Sequence, residues 1–221
     1  MNNFSYHNPV KVIFGKGTIK ELSNAIPPET RVLVTYGGGS IKKNGVHKQV
    51  MAALKGKTVL EFGGIEANPR YETCMKAVDL VRNEKIGFLL AVGGGSVIDG
   101  TKFIAAAAKY AKGDPWDILE KNAAVEDAVP LGTVLTLPAT GSEMNCLAVV
   151  SRGATHEKLH FGSPFVYPRF SILDPEVTYS LPKHHARCPL PKARNSRLRY
   201  LFLCREPLRP QSRPWHGTRS I

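Results

Sequence analysis

Cysteine is scarce and unpatterned in this chain. Cys74, Cys146, Cys188 and Cys204 are the only four among 221 residues, and no two stand in a Cys-x-x-Cys spacing. The arrangement offers neither a zinc ribbon nor a redox dithiol. It reads as reduced thiols of a cytoplasmic protein, with Cys74 and Cys146 as small core or half-buried residues rather than metal ligands. No apolar run approaches the ~20 residues that a membrane span requires, so no membrane association is expected. The opening residues, Met1 to His7, lack a basic stretch followed by an apolar one, so no secretory signal is expected either. Aspartate is missing from one whole region: none occurs after Asp174.

The length suits one domain of ordinary size with an appendage, and the 43% hydrophobic content suits a packed core. The net charge of +12 is unevenly placed. From His184 to Ile221, eight arginines and Lys192 face the single acid Glu206, a net of +8, which leaves +4 for the other 183 residues. Before residue 184 only Arg31, Arg70, Arg82, Arg152 and Arg169 occur, against sixteen lysines. The same tail holds Pro189, Pro191, Pro207, Pro210 and Pro214, which leave little room for helices. Two unlike segments are therefore expected: an ordered domain over 1–183 and a basic, Arg/Pro-rich, disordered tail over 184–221.

The richest stretch is Phe88–Lys102. An apolar run ends in Gly93, Gly94, Gly95 and Ser96, and a helical pattern follows with Val97, Ile98, Thr101, Phe103 and Ile104. A strand, a glycine turn and a helix N-terminus together make an anion seat, because glycine lets the backbone approach and the first N–H groups of the helix point at the ligand. The spacing is not Gly-x-Gly-x-x-Gly, and no Gly-Lys-Ser/Thr follows it.

The same alternation recurs along the chain. Strands are expected at Arg31–Tyr36, Thr58–Phe62, Phe88–Val92 and Val129–Thr136, the last with Pro130 at its start. Helices are expected at Val46–Leu54, Tyr71–Glu84 and from the Gly93–Ser96 turn to about Tyr110. This pattern predicts an α/β fold with a parallel sheet, whose ligands bind outside the carboxyl ends of the strands. Each strand ends in a suitable loop: Gly37–Ser40, Gly63–Asn68, Gly93–Ser96 and Thr136–Glu143. A lone glycine loop is as readily a plain turn; four in register predict one groove for a phosphorylated ligand. Further on, Ala148–Arg152 and Lys158–Phe161 predict a β-hairpin around Gly153–His156, and Arg169–Asp174 a short strand. Phe4–Phe14 reads as a small strand pair ahead of the sheet.

Phe14-Gly-Lys-Gly17, Tyr36-Gly-Gly-Gly-Ser40, Gly93-Gly-Gly-Ser-Val-Ile-Asp99 and Leu137-Pro-Ala-Thr-Gly-Ser-Glu143, in this order, resemble the iron-containing (metal-dependent) alcohol dehydrogenase family. The match is to its butanol-dehydrogenase-like branch of NADPH-dependent aldehyde reductases. Leu173-Asp-Pro175 and Tyr179-Ser-Leu-Pro182 extend it, so that it covers essentially all of 1–182. The resemblance implies a Rossmann-like dinucleotide-binding domain, here without the family's second, all-helical domain, and leaves a homodimer open. It places Gly94, Gly95 and Ser96 under the pyrophosphate with Asp99 nearby, although an acid in a first helical turn is also an ordinary dipole partner. It places Thr136, Leu137 and Thr140 along the adenosine and ribose, and Asn68, Ser142 and Lys158 at contact positions, with Leu181 packing near the cofactor. Lys158 reads equally well as a solvated hairpin lysine.

Cofactor choice follows from charge. NAD sites place an acid after a strand to accept from the ribose 2′-hydroxyl, and a 2′-phosphate would be repelled there. The loop Gly37-Gly38-Gly39-Ser40-Ile41-Lys42-Lys43 contains no acid. Ser40 with Lys42 or Lys43 suits a 2′-phosphate, which favours NADP(H).

The chemistry implied is hydride transfer between the nicotinamide and the carbonyl carbon of a small aldehyde or primary alcohol, with a divalent metal, iron or zinc, polarising the oxygen. In the family an aspartate and three histidines hold that metal, beginning with Asp-x-x-x-His shortly after the Leu-Pro matched by Leu181-Pro182. Here the adjacent His184 and His185 and the isolated His216 stand without any aspartate. No catalytic or metal-binding residue is therefore assigned. A shift of reading frame near residue 183 would account for the change in composition, and the chain is expected to bind NADP(H) weakly and to be inactive alone. Two other readings stand beside this one. In the first, the tail completes a working metal-dependent dehydrogenase; in the second, it is a nucleic-acid-binding arm with Tyr200, Phe202 and Trp215 available for stacking.

Overall fold

The computed structural model describes residues 7–181. Phe4–Tyr6, Pro182, the tail from 184 with its histidines, and the readings that rest on them lie outside the described residues. Strands and helices alternate as β1 (Lys11–Phe14), α1 (Leu22–Ala25), β2 (Val32–Tyr36), α2 (Ser40–Lys43), α3 (Val46–Ala53), β3 (Val59–Phe62), α4 (Tyr71–Asn83), β4 (Phe88–Gly94), α5 (Gly95–Lys109), α6 (Asp117–Glu120) and β5 (Leu131–Leu137). The hairpin β6 (Leu147–Arg152) and β7 (Glu157–Gly162) follows, then β8 (Phe170–Leu173).

Six strands form one sheet in the order β1-β8-β5-β4-β2-β3, and every neighbouring pair is parallel. This is the α/β, Rossmann-like architecture. The chain lays β3 outside β2 and then crosses back to place β4 on the other side of β2. The strand order thus reverses between β2 and β4, where a crevice opens at the carboxyl ends.

Burial on both faces explains the near-continuous apolar strands. Alternate residues serve opposite layers. Leu33, Leu89, Ala91, Leu131 and Leu135 pack with Cys74, Val78, Val81, Ile98, Phe103 and Trp116 on the side of α4 and α5. Val32, Val34, Leu90, Val92 and Val134 pack with Ile19, Leu22, Val46, Val50 and Leu54 on the other. There the Phe88 and Phe170 rings stack with centroids 5.9 Å apart, and Gly132 lies directly beneath the Phe170 ring. The hairpin is a separate two-stranded ribbon.

Three expectations are corrected. Residues 11–14 are not part of a strand pair ahead of the sheet. They form its edge strand, running parallel to β8 from Lys11 opposite Phe170 to Phe14 opposite Leu173. Gly93–Ser96 is not a turn: β4 runs to Gly94 and α5 begins at Gly95, with no residue between. β5 begins at Leu131 rather than Val129, because Pro130 has no N–H for the ladder and contributes only its carbonyl, to Leu89 N at 2.9 Å. Among the described residues no helix is long and apolar enough to cross a membrane.

Candidate functional site

The loops that follow β5, β4, β2 and β3 are neighbours along one sheet edge, and hydrogen bonds stitch them together. Gly64 N donates to Gly37 O at 3.0 Å and Ile65 N to Tyr36 O at 3.2 Å, which holds the loop after β3 against the loop after β2. Asn68 N donates to Ser96 Oγ at 3.4 Å, joining the same loop to the start of α5. Asn68 has φ +84, a left-handed conformation in which asparagine is tolerated and which aims its side chain toward the hairpin. There Lys158 Nζ donates to Asn68 Oδ1 at 2.7 Å.

The seat itself depends on missing side chains. A Cβ on Gly95 would strike the Thr140 hydroxyl and approach its Cγ2 to 2.8 Å, so glycine there lets the loop after β5 close onto the helix start. Between Gly93 and Gly94 the register with β5 slips, pairing Gly93 with Leu135 and Gly94 with Leu137 and skipping Thr136. After β2, by contrast, nothing lies within 4 Å of where a Cβ on Gly38 or Gly39 would point. That is an open cradle, bounded by the exposed Ser40 and Lys43. The first N–H groups of the 15-residue α5 have no partner within the helix, which begins at the carboxyl end of β4 beside this loop. The open glycine loop and the helix start are features that a nucleotide cofactor would fit.

Asp99 and Ser142 meet beneath this edge. Ser142 Oγ donates to Asp99 Oδ1 at 2.6 Å, and Val149 N to Asp99 Oδ2 at 3.2 Å. Burial raises the Asp99 carboxyl above the usual range, while the Ser142 hydrogen bond and the Lys102 charge oppose the shift. Leu181 ends the Pro175–Ser180 turn after β8, half-buried. That turn reaches the loop after α2 through Asn44 Nδ2 and Ser180 Oγ at 3.4 Å.

Sequence reasoning missed two groups. Lys102 is fully buried on α5, and its only signal was a lysine inside an apolar helical run. Glu61, from β3, stands 3.6 Å from Lys42 Nζ and 3.0 Å from His47 Nε2. An acid thus reaches the Ser40–Lys43 side of the cleft from another strand, although the loop after β2 has none. Burial works to raise the Glu61 carboxyl, but His47 and Lys42 hold it below the usual range. Lys42 also lies 5.0 Å from the centre of the Tyr36 ring.

A sequence profile of the family described as iron-containing alcohol dehydrogenase matches residues 9–175. The chain belongs to that family. It is 60% identical over 184 residues to the NADPH-dependent aldehyde reductase YqhD of Escherichia coli, covering 82% of this chain and 48% of that protein. It is 53% identical over 188 residues to the probable NADH-dependent butanol dehydrogenase 1 of Bacillus subtilis, covering 84% and 48% respectively. The crystal structure of E. coli YqhD superposes with a TM-score of 0.81 at 59% identity, over 84% of this chain and 48% of that one. The NADH-dependent butanol dehydrogenase A of Thermotoga maritima gives 0.80 at 44% identity, over 84% and 47%. The chain spans about half the length of the relatives it matches.

Among the described residues no group of three or more His, Cys, Asp or Glu is placed to hold a metal ion.

Proposed function

We propose that this chain is the nucleotide-binding part of an NADPH-dependent aldehyde reductase and that it binds NADP(H) in the crevice between β2 and β4. The observation that carries this reading is the meeting of four short loops at the point where the strand order reverses, with an open glycine cradle on one side and a helix N-terminus on the other. Gly94, Gly95 and Ser96 seat the pyrophosphate. Gly37, Gly38 and Gly39 let the ribose approach the backbone, and Ser40 and Lys43 face a 2′-phosphate. Thr136, Leu137 and Thr140 form the wall on the β5 side, and Asn68, Ser142, Asp99 and Lys158 line the far end. Leu181 packs against the cofactor from the turn after β8.

In the family reaction the nicotinamide, when bound, would exchange hydride with an aldehyde or primary alcohol, and a metal would supply stabilisation of the charge on oxygen. The residues here bind and orient the dinucleotide. The metal's carboxylate ligand has no counterpart in the sequence after Asp174. On this reading the chain alone binds NADP(H) weakly and does not turn over an aldehyde.

Fluorescence titration of the purified chain with NADPH and NADH tests the binding. Saturable binding with NADPH the tighter ligand supports the reading, and absence of binding to either overturns it. Clear aldehyde turnover on addition of Zn²⁺ or Fe²⁺ would overturn the inactivity.

A further inference from the structure

Lys102 is the largest buried charge in the described residues that the reading of the cleft does not use. It stands on α5, fully buried. Its Nζ donates to Ser142 O at 2.7 Å, Ser142 Oγ at 2.9 Å, Leu147 O at 2.9 Å and Asn145 Oδ1 at 3.0 Å. An ammonium has three N–H donors and no acceptor, so four oxygens saturate it. The direction of the next bond follows. Ser142 Oγ accepts from Lys102, and its own proton goes to Asp99 Oδ1 at 2.6 Å. Asp99 is three residues before Lys102 on the same helix face, and its second oxygen accepts from Val149 N.

We propose that Lys102 is a positioning residue of the cofactor site: its buried ammonium holds the Ser142–Leu147 segment and, through the Ser142 hydroxyl, fixes the Asp99 carboxylate. The proposal rests on the reading of the crevice as a dinucleotide site. One helix grips the two ends of a segment with opposite charges, carbonyls at 142 and 147 by the lysine and the Val149 amide by the aspartate. A methionine of similar volume would fill the space without the cost of desolvating an ammonium. What the charge adds is a defined backbone path for residues 142–149, between the Thr140 contact on Gly95 and the hairpin that carries Lys158.

The charged and titratable groups facing Lys102 are Asp99 on its own helix and Glu143 and Cys146 on the held segment. Lys158, on the hairpin, acts on Asp99. Burial pulls the Lys102 ammonium down to about 8, against the raising effect of Asp99, Cys146 and Glu143. Above that pH the amine has one N–H fewer and presents a lone pair to an acceptor, so the grip weakens while the sheet stays intact.

The test uses the full chain between pH 7 and 9.5, with two readouts: the NADPH dissociation constant, and the hydrogen-exchange protection of the Val149 amide corrected for the intrinsic rate, with Leu90 of β4 as the core reference. In the wild type, affinity and Val149 protection fall together by about fivefold as pH passes about 8, while Leu90 protection does not fall. Lys102→Met shows the weakened values at every pH, without the inflection. Ser142→Ala leaves the lysine its carbonyl partners; it lowers affinity and Val149 protection and keeps the inflection. Lys102→Met with wild-type affinity and Val149 protection overturns the proposal. So does a flat wild-type profile, or a loss of Leu90 protection in step with Val149, which would make Lys102 a general core residue. If the wild type binds no NADPH, the dinucleotide reading fails, and the Val149 profile still decides whether Lys102 fixes Asp99.

Discussion

Lys158 Nζ reaches Asn68 Oδ1 at 2.7 Å across 90 positions of sequence, so the hairpin is fastened to the loop after β3 over the mouth of the crevice. Both side chains are exposed on the face proposed for the cofactor. Removing the lysine leaves the Asn68 side chain without its bond to the hairpin, while its backbone N–H keeps Ser96 Oγ. Lys158→Ala is expected to weaken NADPH binding by about three- to tenfold, the equivalent of one hydrogen bond to a charged group, with the melting temperature almost unchanged. Titration by NADPH fluorescence beside a thermal melt checks it; equal affinity in the two proteins would refute it.

The open space at Gly38 allows a test of the 2′-phosphate. A carboxylate placed there by Gly38→Asp meets no protein atom within 4 Å of its Cβ, so the fold accepts it. It would accept from a ribose 2′-hydroxyl and repel a 2′-phosphate. NADPH affinity should fall by about tenfold or more and NADH affinity should hold or improve. A parallel loss for both cofactors would show that the loop seats something other than the 2′-phosphate.

Glu61 holds Lys42 and His47 beside the loop proposed for the 2′-phosphate, and so opposes the preference proposed there. Glu61→Gln frees Lys42 for the phosphate, and NADPH affinity should rise by about two- to fivefold while NADH changes less. A matched rise for both cofactors would assign the effect to the loop as a whole.

Gly132 is constrained by packing and not by its backbone. A Cβ there would stand 2.7 Å from two atoms of the Phe170 ring, which is itself stacked on Phe88. Gly132→Ala should cost about 1–3 kcal/mol, read as a lower denaturant midpoint with an unchanged slope. A midpoint within error of the wild type would mean that the ring slides aside freely.

The pH dependence of stability carries a definite sign at Lys102. Its folded value of about 8 lies below the ordinary 10.5, so between those limits the unfolded chain binds more protons than the folded one. Stability from this group therefore rises with pH across that window, by on the order of 3 kcal/mol in all, and the cost of the buried charge is fully present below it. Lys102→Met should lack that rise in urea titrations at pH 7.5 and 9.5. An identical slope in both proteins would contradict the assignment.

The strands β2, β3 and β4 and the helices α4 and α5 were legible because apolar periods and glycine boundaries are local signals. The hairpin was legible for the same reason. β1 was misplaced because four residues do not announce a partner that lies 159 positions away, at Phe170 opposite Lys11. The glycine cradles were visible as composition, and Asp99, Ser142, Asn68 and Lys158 as motif positions. Their pairing was not visible, since hydrogen bonds across 43 and 90 residues depend on the finished sheet. Glu61 escaped because the acid comes from the strand beside the expected loop. Lys102 escaped because one lysine in an apolar helix face also reads as a side chain that snorkels to water.

The direct passage of β4 into α5 has a mechanical consequence. With no residue between strand and helix, that junction has no slack: it cannot swing, lengthen or accept an insertion without breaking either the ladder or the first helical turn. A ligand seated there presses on an anvil. Any accommodation to its shape falls on the other jaw, the Thr140–Val149 stretch and the hairpin behind it, which is the part clamped by side chains rather than by the sheet.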